Sequence, residues 1–363
     1  MKQYVVVGGG IIGLSLVLEL INKVVQKSDI VTLITPEDIY NPQTGYNSNK
    51  VIALSDVNYE FFVNMGIKIE ANKINAINMI DGADFCKINA SNINLSCLGY
   101  CISWQDIYKK LCEKIIALKS VQIIQNKIEQ ETDLLKIVDT AHHVFLCDGG
   151  NIKLSGTKFY EHDYKQDIVI CRGDCNQYVD GEAFEFFTDD GALAILPHKK
   201  QVVCLFSLSH HKSQELISNV DYLHQNIKKN ISNYLEVDFN NKDIVCYPLK
   251  LRYLSYNPYS KITFLGNAAH TIHPIMAQGL NLGLKNLQLL IKILNVQGIS
   301  GIESYHKISK INIIKTSKFI HYLALYSTHH NKFNKIRLLK STLWHTVSKL
   351  HLMQKALFMF LQY

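Results

Sequence analysis

The 363-residue chain has no internal repeat, no long low-complexity segment, and no cysteine pair at the two-residue spacing of zinc sites or thiol redox motifs. Its nine cysteines are odd in number and scattered, the closest pairs being Cys97 with Cys101 and Cys171 with Cys175. With no secretory signal in the sequence, that usage argues for reduced thiols in a cytosol and against a disulfide framework. The apolar run from Tyr4 to Ile21 is interrupted by three consecutive glycines and by Glu19, so it reads as strand, turn and helix and not as a membrane span. Acidic residues are missing from Ser304 to Tyr363, where ten Lys or Arg occur, so the formal net charge of +7 divides into +10 for this tail and −3 for the rest. The tail's basic and aromatic residues do not interleave as a stacking platform, which argues against nucleic acid as a partner.

What is present is concentrated in a few segments. YVVVGGGIIGLSLVLEL places Gly8, Gly10 and Gly13 between a β-branched strand and an apolar helix. A dinucleotide pyrophosphate needs that order: a tight turn, a close backbone approach, then close helix-on-strand packing. Asp148 and Gly149 follow the strand HVFLC, at the carboxyl end where ligands collect in open α/β sheets. LGNAAHTIHPIMAQGLNLG, from Leu265 to Gly283, uses small residues at Ala268 and Ala269 and a stiffening Pro274 ahead of a helical repeat. A loop feeding such a helix aims free backbone N–H groups and the positive dipole end at its guest, which suits an electron-rich ring that gains charge on reduction.

Together these segments resemble the class A flavin-dependent aromatic hydroxylases, and within them the branch that hydroxylates ubiquinone precursors. The resemblance covers roughly Lys2 to Gln288, and also takes in AFEFFTDDGALAILP from Ala183 to Pro197. Asn267, where most relatives carry Asp, is similar to the subgroup acting on 2-polyprenyl-6-methoxyphenol. The resemblance implies an FAD-dependent monooxygenase. It further implies that NAD(P)H or an electron-transfer partner would supply electrons, that O2 would add to the flavin as a C4a-hydroperoxyflavin, and that oxygen would pass to a polyprenylated phenol. It implies that Gly8, Gly10 and Gly13 hold the pyrophosphate with Asp148 and Gly149 beside it. Asn267 and Ala268 would meet the ribityl chain, and Gln278, Gly279, Leu280 and Asn281 would offer backbone N–H groups to the flavin's N1 and O2 edge. His273 and Pro274 are the candidate catalytic residues, as part of the flavin environment.

The chain also departs from the family. Thr35 stands where an acid usually binds a ribose hydroxyl, with Glu37 and Asp38 near enough to reach back. Lys50 replaces an Arg, keeping the charge and losing the bidentate fork. Ile152 and Ser155 occupy the places of a Ser and an Arg, and Ala277 that of a Gly. Val121 to Cys147 is short for the usual three-stranded meander, which predicts a trimmed one.

The fold expected is α/β, α+β overall. It comprises a Rossmann-like FAD-binding domain (1–73, 98–155 and 256–300), an inserted antiparallel-sheet substrate domain (74–97 and 156–255) and a basic helical C-terminal segment (301–363). Alternation from Ile74 to Leu95 predicts strands of a separate sheet with one wet face, and Tyr164 to Tyr247 reads as strand-rich, with turns at Asp189–Gly191 and at Lys199 and Lys200. Ile336, Leu339, Leu343, Val347 and Leu350 share one helical face, so the tail is expected to cap the nucleotide domain or to dock. Docking would be on a membrane surface or on other ubiquinone-biosynthesis proteins, making the protein cytoplasmic and peripheral to the inner face of the membrane.

Rival readings remain open at this stage. His270 and His273 suggest non-haem iron, but they fall in a loop and no nearby acid completes a triad, so no metal is expected. No second G-x-G-x-x-G is present, which fits either transient binding of NAD(P)H or electrons from a partner. A flavoenzyme of the same fold acting on another aromatic or lipid is one alternative to the hydroxylase. The other is a non-catalytic, flavoprotein-like subunit of a lipid-biosynthesis complex.

Overall fold

The computed structural model of the protein describes residues 1–42, 50–175, 180–239 and 244–328; the tail face from Ile336 to Leu350 lies outside the described residues. The chain opens with β1 (Gln3–Val7), α1 (Ile11–Lys23) and β2 (Ile30–Thr35). Helix α1 is buried along most of its length because it lies in the core between the parallel sheet and other helices. The sheet begins as β1 and β2 pair in parallel, from Gln3 opposite Ile30 to Val7 opposite Ile34. The one acid of α1, Glu19, is 2% exposed and is answered by Lys23 one turn on, at 2.8 Å.

Next come β3 (Val51–Leu54), α2 (Asp56–Asn64), β4 (Ala71–Ile74), β5 (Ala76–Asp81), β6 (Asp84–Asn89), β7 (Gly99–Ser103) and α3 (Trp104–Ala117). Ser55 and Ser103 cap α2 and α3, their hydroxyls accepting from the N–H groups of Asn58 and Asp106. Then β8 (Val121–Gln125), α4 (Glu131–Thr140) and β9 (His143–Leu146) replace the expected trimmed meander. Leu134 and Val138 are buried one turn apart, so a single amphipathic helix covers what three strands would have covered.

The longest strand, β10 (Lys158–Cys175), is followed by β11 (Glu182–Phe187), β12 (Gly191–His198) and β13 (Gln201–Ser209). Turns fall at both places the sequence marked. The strand-rich reading fails from residue 210 to 231, which forms α5 (His210–Ser218) and α6 (Val220–Ile231) ahead of β14 (Val237–Phe239) and β15 (Val245–Tyr256). Leu216, Leu223, Ile227 and Ile231 of these helices pack with Val169, Leu193 and Phe206 of the sheet, so one sheet face is closed. The chain ends, as described, with β16 (Ile262–Phe264), β17 (His270–Thr271), α7 (Gln278–Gln297) and α8 (Ile302–Thr328).

Three sheets result among the described residues. The parallel sheet runs β16-β9-β1-β2-β8, and a small antiparallel sheet runs β3-β7-β4. The large sheet runs β17-β15-β10-β13-β12-β11-β5-β6, with β14 on β10. Strands β5 and β6 join this large sheet through a parallel pairing of β5 with β11, from Ala76 opposite Glu182 to Asp81 opposite Phe187.

Candidate active site

The glycine turn, the loop after β9 and the loop before α7 meet at one place. Gly8 has φ +108, and a Cβ there would lie 2.3 Å from the Cys147 carbonyl oxygen and 2.8 Å from the Asp148 nitrogen. A Cβ on Gly13 would lie 1.9 Å from the Gly8 oxygen, so that glycine is required by helix-on-turn packing alone. Gly283 and Gly266 both press on Ile12, which brings α7 and the 266–268 turn against α1.

Gly10 is different. Its φ of −71 and ψ of 178 suit any residue, and a Cβ there meets nothing within 4 Å among the described residues. The fold does not need a glycine at this position; a ligand lying on the turn does. The Gly279 position is nearly as open, with only an Ile272 atom at 4.0 Å. These two open cradles, each at the entry to a helix, are what a dinucleotide pyrophosphate and a flavin ring require, so the residues present fit FAD.

Other residues expected at the site are placed as follows. Thr35 is fully buried at the end of β2, and its hydroxyl donates to the Glu37 carboxylate. An acid is therefore delivered to that strand end from two residues downstream. Asp38 is engaged in its own turn, accepting from the N–H groups of Tyr40 and Asn41. Lys50 is exposed just before β3. Asp148 closes its own loop, its two carboxylate oxygens accepting from Gly150 N–H at 3.0 Å and Ile152 N–H at 2.6 Å. Its role is thus to shape the turn made by Gly149 and Gly150, both at positive φ. Asn267 is exposed on a short 3-10 turn and Ala268 is buried beneath it.

The unusual residues after Asp148 have structural work. Ile152 is buried in the core, and Ser155 donates both its N–H and its hydroxyl to Glu131 of α4, at 2.7 and 2.6 Å. The guanidinium near this loop comes instead from β15. Arg252 stacks on Phe159, 3.4 Å from the ring centroid, and its Nη1 would lie 2.9 Å from a Cβ on Gly150. Sequence reasoning missed Arg252 because only the register of β15 brings it there.

The loop into α7 is strained. Met276 and Ala277 take φ +59 and +52, left-handed values that explain why a glycine is favoured at the second position. Gln278 Nε2 donates back to the Met276 carbonyl at 3.1 Å. The Asn281 side chain is fully engaged within the protein. Its Oδ1 accepts from Ser55 N–H and Asn58 Nδ2, and its Nδ2 donates to the carbonyls of Ala53 and Ala277. Any contact from Asn281 to a ring would therefore be through its backbone. Among the described residues no side chain caps α7, and no acid lies in its first turn, so its positive end is open to a ligand.

His273 is fully buried. Its Nδ1 accepts from Ile275 N–H at 3.2 Å, its Nε2 has no hydrogen-bond partner among the described residues, and its ring meets Tyr164 edge-on at 5.0 Å. Burial lowers its pKa to about 4, so the imidazole is neutral at neutral pH. Among the described residues no cluster of three or more His, Cys, Asp or Glu is placed to hold a metal.

Between this loop and the open face of the large sheet lies a cavity of about 550 Å³. Pro274, Met276 and Ala277 form one wall, strands β5, β11, β12 and β13 the opposite one, and Phe319, Tyr322 and Leu323 of α8 close a side. The lining is mostly apolar, with polar groups from Ser55, Ser207, Gln278, Asn281 and Tyr322. The one carboxyl among the described lining residues is that of Glu185, in a stretch the sequence singled out without giving this side chain a role.

No family model matches the chain. It is 25% identical over 324 aligned positions to the ubiquinone hydroxylase UbiM of Neisseria meningitidis, covering 81% of this chain and 68% of that protein. To the 3-demethoxyubiquinol 3-hydroxylase of Escherichia coli it is 26% identical over 153 positions, 41% of this chain and 39% of the other. Among solved structures, the p-nitrophenol 4-monooxygenase PnpA of Pseudomonas putida superposes with a TM-score of 0.72 at 13% identity, covering 100% of this chain and 99% of the other. PqsL of Pseudomonas aeruginosa, a probable FAD-dependent monooxygenase, gives 0.73 at 13% identity over 91% and 97%. The fold is the one these monooxygenase structures share, and the two open glycine cradles fit FAD. In sequence the chain is similar to proteins named as ubiquinone-biosynthesis hydroxylases.

Proposed function

We propose that the protein uses FAD and O2 to hydroxylate a polyprenylated phenol in ubiquinone biosynthesis, with 2-polyprenyl-6-methoxyphenol as the substrate. The observation that carries this reading is the apolar cavity set directly against the flavin-type loop, large enough for a substituted ring and the start of a prenyl chain. When bound, FAD supplies the redox chemistry, accepting electrons and activating O2 for transfer of one oxygen atom to the ring. The glycine turn and the start of α1 hold the pyrophosphate, and Glu37 and Thr35 face the ribose. The positive end of α7 stabilises charge on the reduced ring. Pro274, Met276 and Ala277 hold the ring against the cavity, and the apolar walls keep water out until oxygen transfer is complete. NAD(P)H or an electron-transfer partner supplies the electrons.

A long prenyl chain partitions into the bilayer, so the enzyme works at the cytoplasmic membrane face, brought there by its basic C-terminal region or by other ubiquinone-biosynthesis proteins. No helix among the described residues is long and apolar enough to cross a membrane. The test is to delete the gene and identify the quinone precursors that accumulate, then supply the purified protein with FAD, NADH and 2-geranyl-6-methoxyphenol. Accumulation of the unhydroxylated phenol and its conversion in vitro support the assignment. Accumulation of a different intermediate reassigns the ring position, and an unchanged quinone profile removes the pathway.

A further inference from the structure

Along β11 the side chains alternate, and Ala183, Glu185 and Phe187 lie on the cavity face. Glu185 is paired across the sheet with Ala194 of β12 and Met79 of β5, both also cavity-lining. The remaining lining side chains come from Phe184 of the same strand, from β3, β4, β5, β6, β10, β12 and β13, from Ser55 and Leu98, and from the 274–278 loop, α7 and α8. Among the described residues none of them is charged, and Tyr322 is the one other titratable group. The carboxyl of Glu185 has no hydrogen bond or countercharge among the described residues. Glu182, three residues earlier, is held by Lys87 at 2.5 Å and Asn78 at 2.6 Å. A carboxyl set alone in an apolar cavity opposes stability, and Leu or Met would fill the same place without that cost. Its presence is accounted for by a ligand that needs it.

We propose that Glu185 receives the phenol O–H of the substrate, orienting the ring in the cavity and taking its proton as oxygen is delivered. The inference rests on the reading of this cavity as the site of a phenol hydroxylase. In the step, the phenol O–H bond breaks and its proton passes to a Glu185 carboxylate oxygen. The freed electron pair raises the electron density of the ring carbon that forms a C–O bond to the electrophilic oxygen FAD and O2 would supply. The hydrogen on that carbon leaves as a proton when the ring regains aromaticity, and the two electrons from NAD(P)H or an electron-transfer partner reduce the second oxygen atom to water. Glu185 itself undergoes no redox change. Burial raises the Glu185 pKa to about 7, which suits a group that must both hold and release a proton near neutrality.

The experiment compares 2-geranylphenol with its methyl ether on FAD-reconstituted wild type, Glu185→Gln and Glu185→Leu, reading binding by flavin fluorescence and turnover by product formation. Wild type should bind the phenol about tenfold more tightly than the ether, as a charge-assisted hydrogen bond predicts, and Glu185→Leu should lose that preference with FAD content unchanged. Wild-type kcat/KM should rise with pH through about 7, whereas Glu185→Gln should be flat and lower by about 10²-fold at the plateau. If Glu185→Leu keeps the phenol preference, or Glu185→Gln keeps the pH rise, the role of Glu185 is overturned while the cavity assignment stands. If wild type binds neither compound, the phenol-hydroxylase reading falls, and this inference with it.

Discussion

Asn281 Oδ1 accepts a hydrogen bond from Asn58 Nδ2 at 2.8 Å, joining the first turn of α7 to α2 through two buried amides. The same oxygen takes the Ser55 N–H at 2.9 Å, so one side chain fixes the helix whose free end faces the cavity. Replacing it removes several bonds at once and leaves buried donors without partners. Asn281→Ala should lower unfolding free energy by about 1–3 kcal/mol and weaken FAD binding, since the helix end is no longer held. Urea denaturation of the apoprotein and FAD titration measure the two effects. Unchanged stability would mean that the network does not position α7.

Gly10 and Gly13 should respond in opposite ways. Gly10→Val adds a side chain where the protein has only open space, so apoprotein stability should stay within about 0.5 kcal/mol of wild type while FAD occupancy is lost. Gly13→Ala drives a Cβ onto the Gly8 oxygen and should compromise the fold itself. Circular dichroism with flavin absorbance separates the cases. A Gly10→Val protein that purifies with full flavin would show that the turn does not carry the pyrophosphate.

These contrasts show what was legible in the sequence. The glycines of the turn act on their immediate chain neighbours, and the β-branched strand and apolar helix around them carry their own periodicity, so the parallel-sheet start could be read directly. Helix α4 could also have been read, from Leu134 and Val138 one turn apart, but expectation of a meander outweighed that spacing. Glu185 and Arg252 could not be read in the same way. What isolates Glu185 is Ala194 and Met79 on adjacent strands, and what brings Arg252 to Gly150 is the pairing of β15 with β10. Both depend on register, which is a property of the assembled sheet. At Thr35 the strand itself brings no acid, but Glu37, two residues on, accepts from the Thr35 hydroxyl, a contact that spacing alone does not fix.

His273 gives a pH prediction. Its pKa falls from an ordinary 6.5 to about 4 on folding, so the unfolded chain binds the proton more readily than the native one. Its contribution to stability is complete above pH 6.5 and is lost as pH falls towards 4, at up to about 1.4 kcal/mol per pH unit. His270 and His143, lowered by burial to about 4 and about 3, act in the same direction. His273→Gln should therefore flatten the decline in unfolding free energy between pH 6.5 and 4 by about one proton's slope. An identical pH dependence in variant and wild type would contradict a buried neutral imidazole.

The last prediction concerns how a substrate dissolved in lipid reaches the cavity. On α8, Phe319, Tyr322 and Leu323 line the cavity, while Lys307, Lys310, Lys315 and Lys318 of the same helix are exposed. Exposed with them are Ile308, Ile311 and Tyr322, the last 69% accessible although it borders the cavity. One helix thus carries both an edge of the cavity and a basic, partly apolar surface, an arrangement suited to an anionic bilayer. Each lysine near such a surface contributes about 1 kcal/mol, and the interaction is screened over a Debye length. Lys307 is paired with Glu303 at 2.8 Å and should matter least. Changing Lys310, Lys315 and Lys318 together to Gln should weaken binding to phosphatidylglycerol vesicles by about 10²-fold at low salt, with a smaller difference at high salt and no change in FAD content. Adding Lys335, Arg337 and Lys340, which lie outside the described residues, should weaken it further. Vesicle co-sedimentation over a salt series measures this. A wild-type protein that ignores anionic vesicles at low salt would rule out α8 as a membrane contact and leave a protein partner in the same pathway to deliver the substrate.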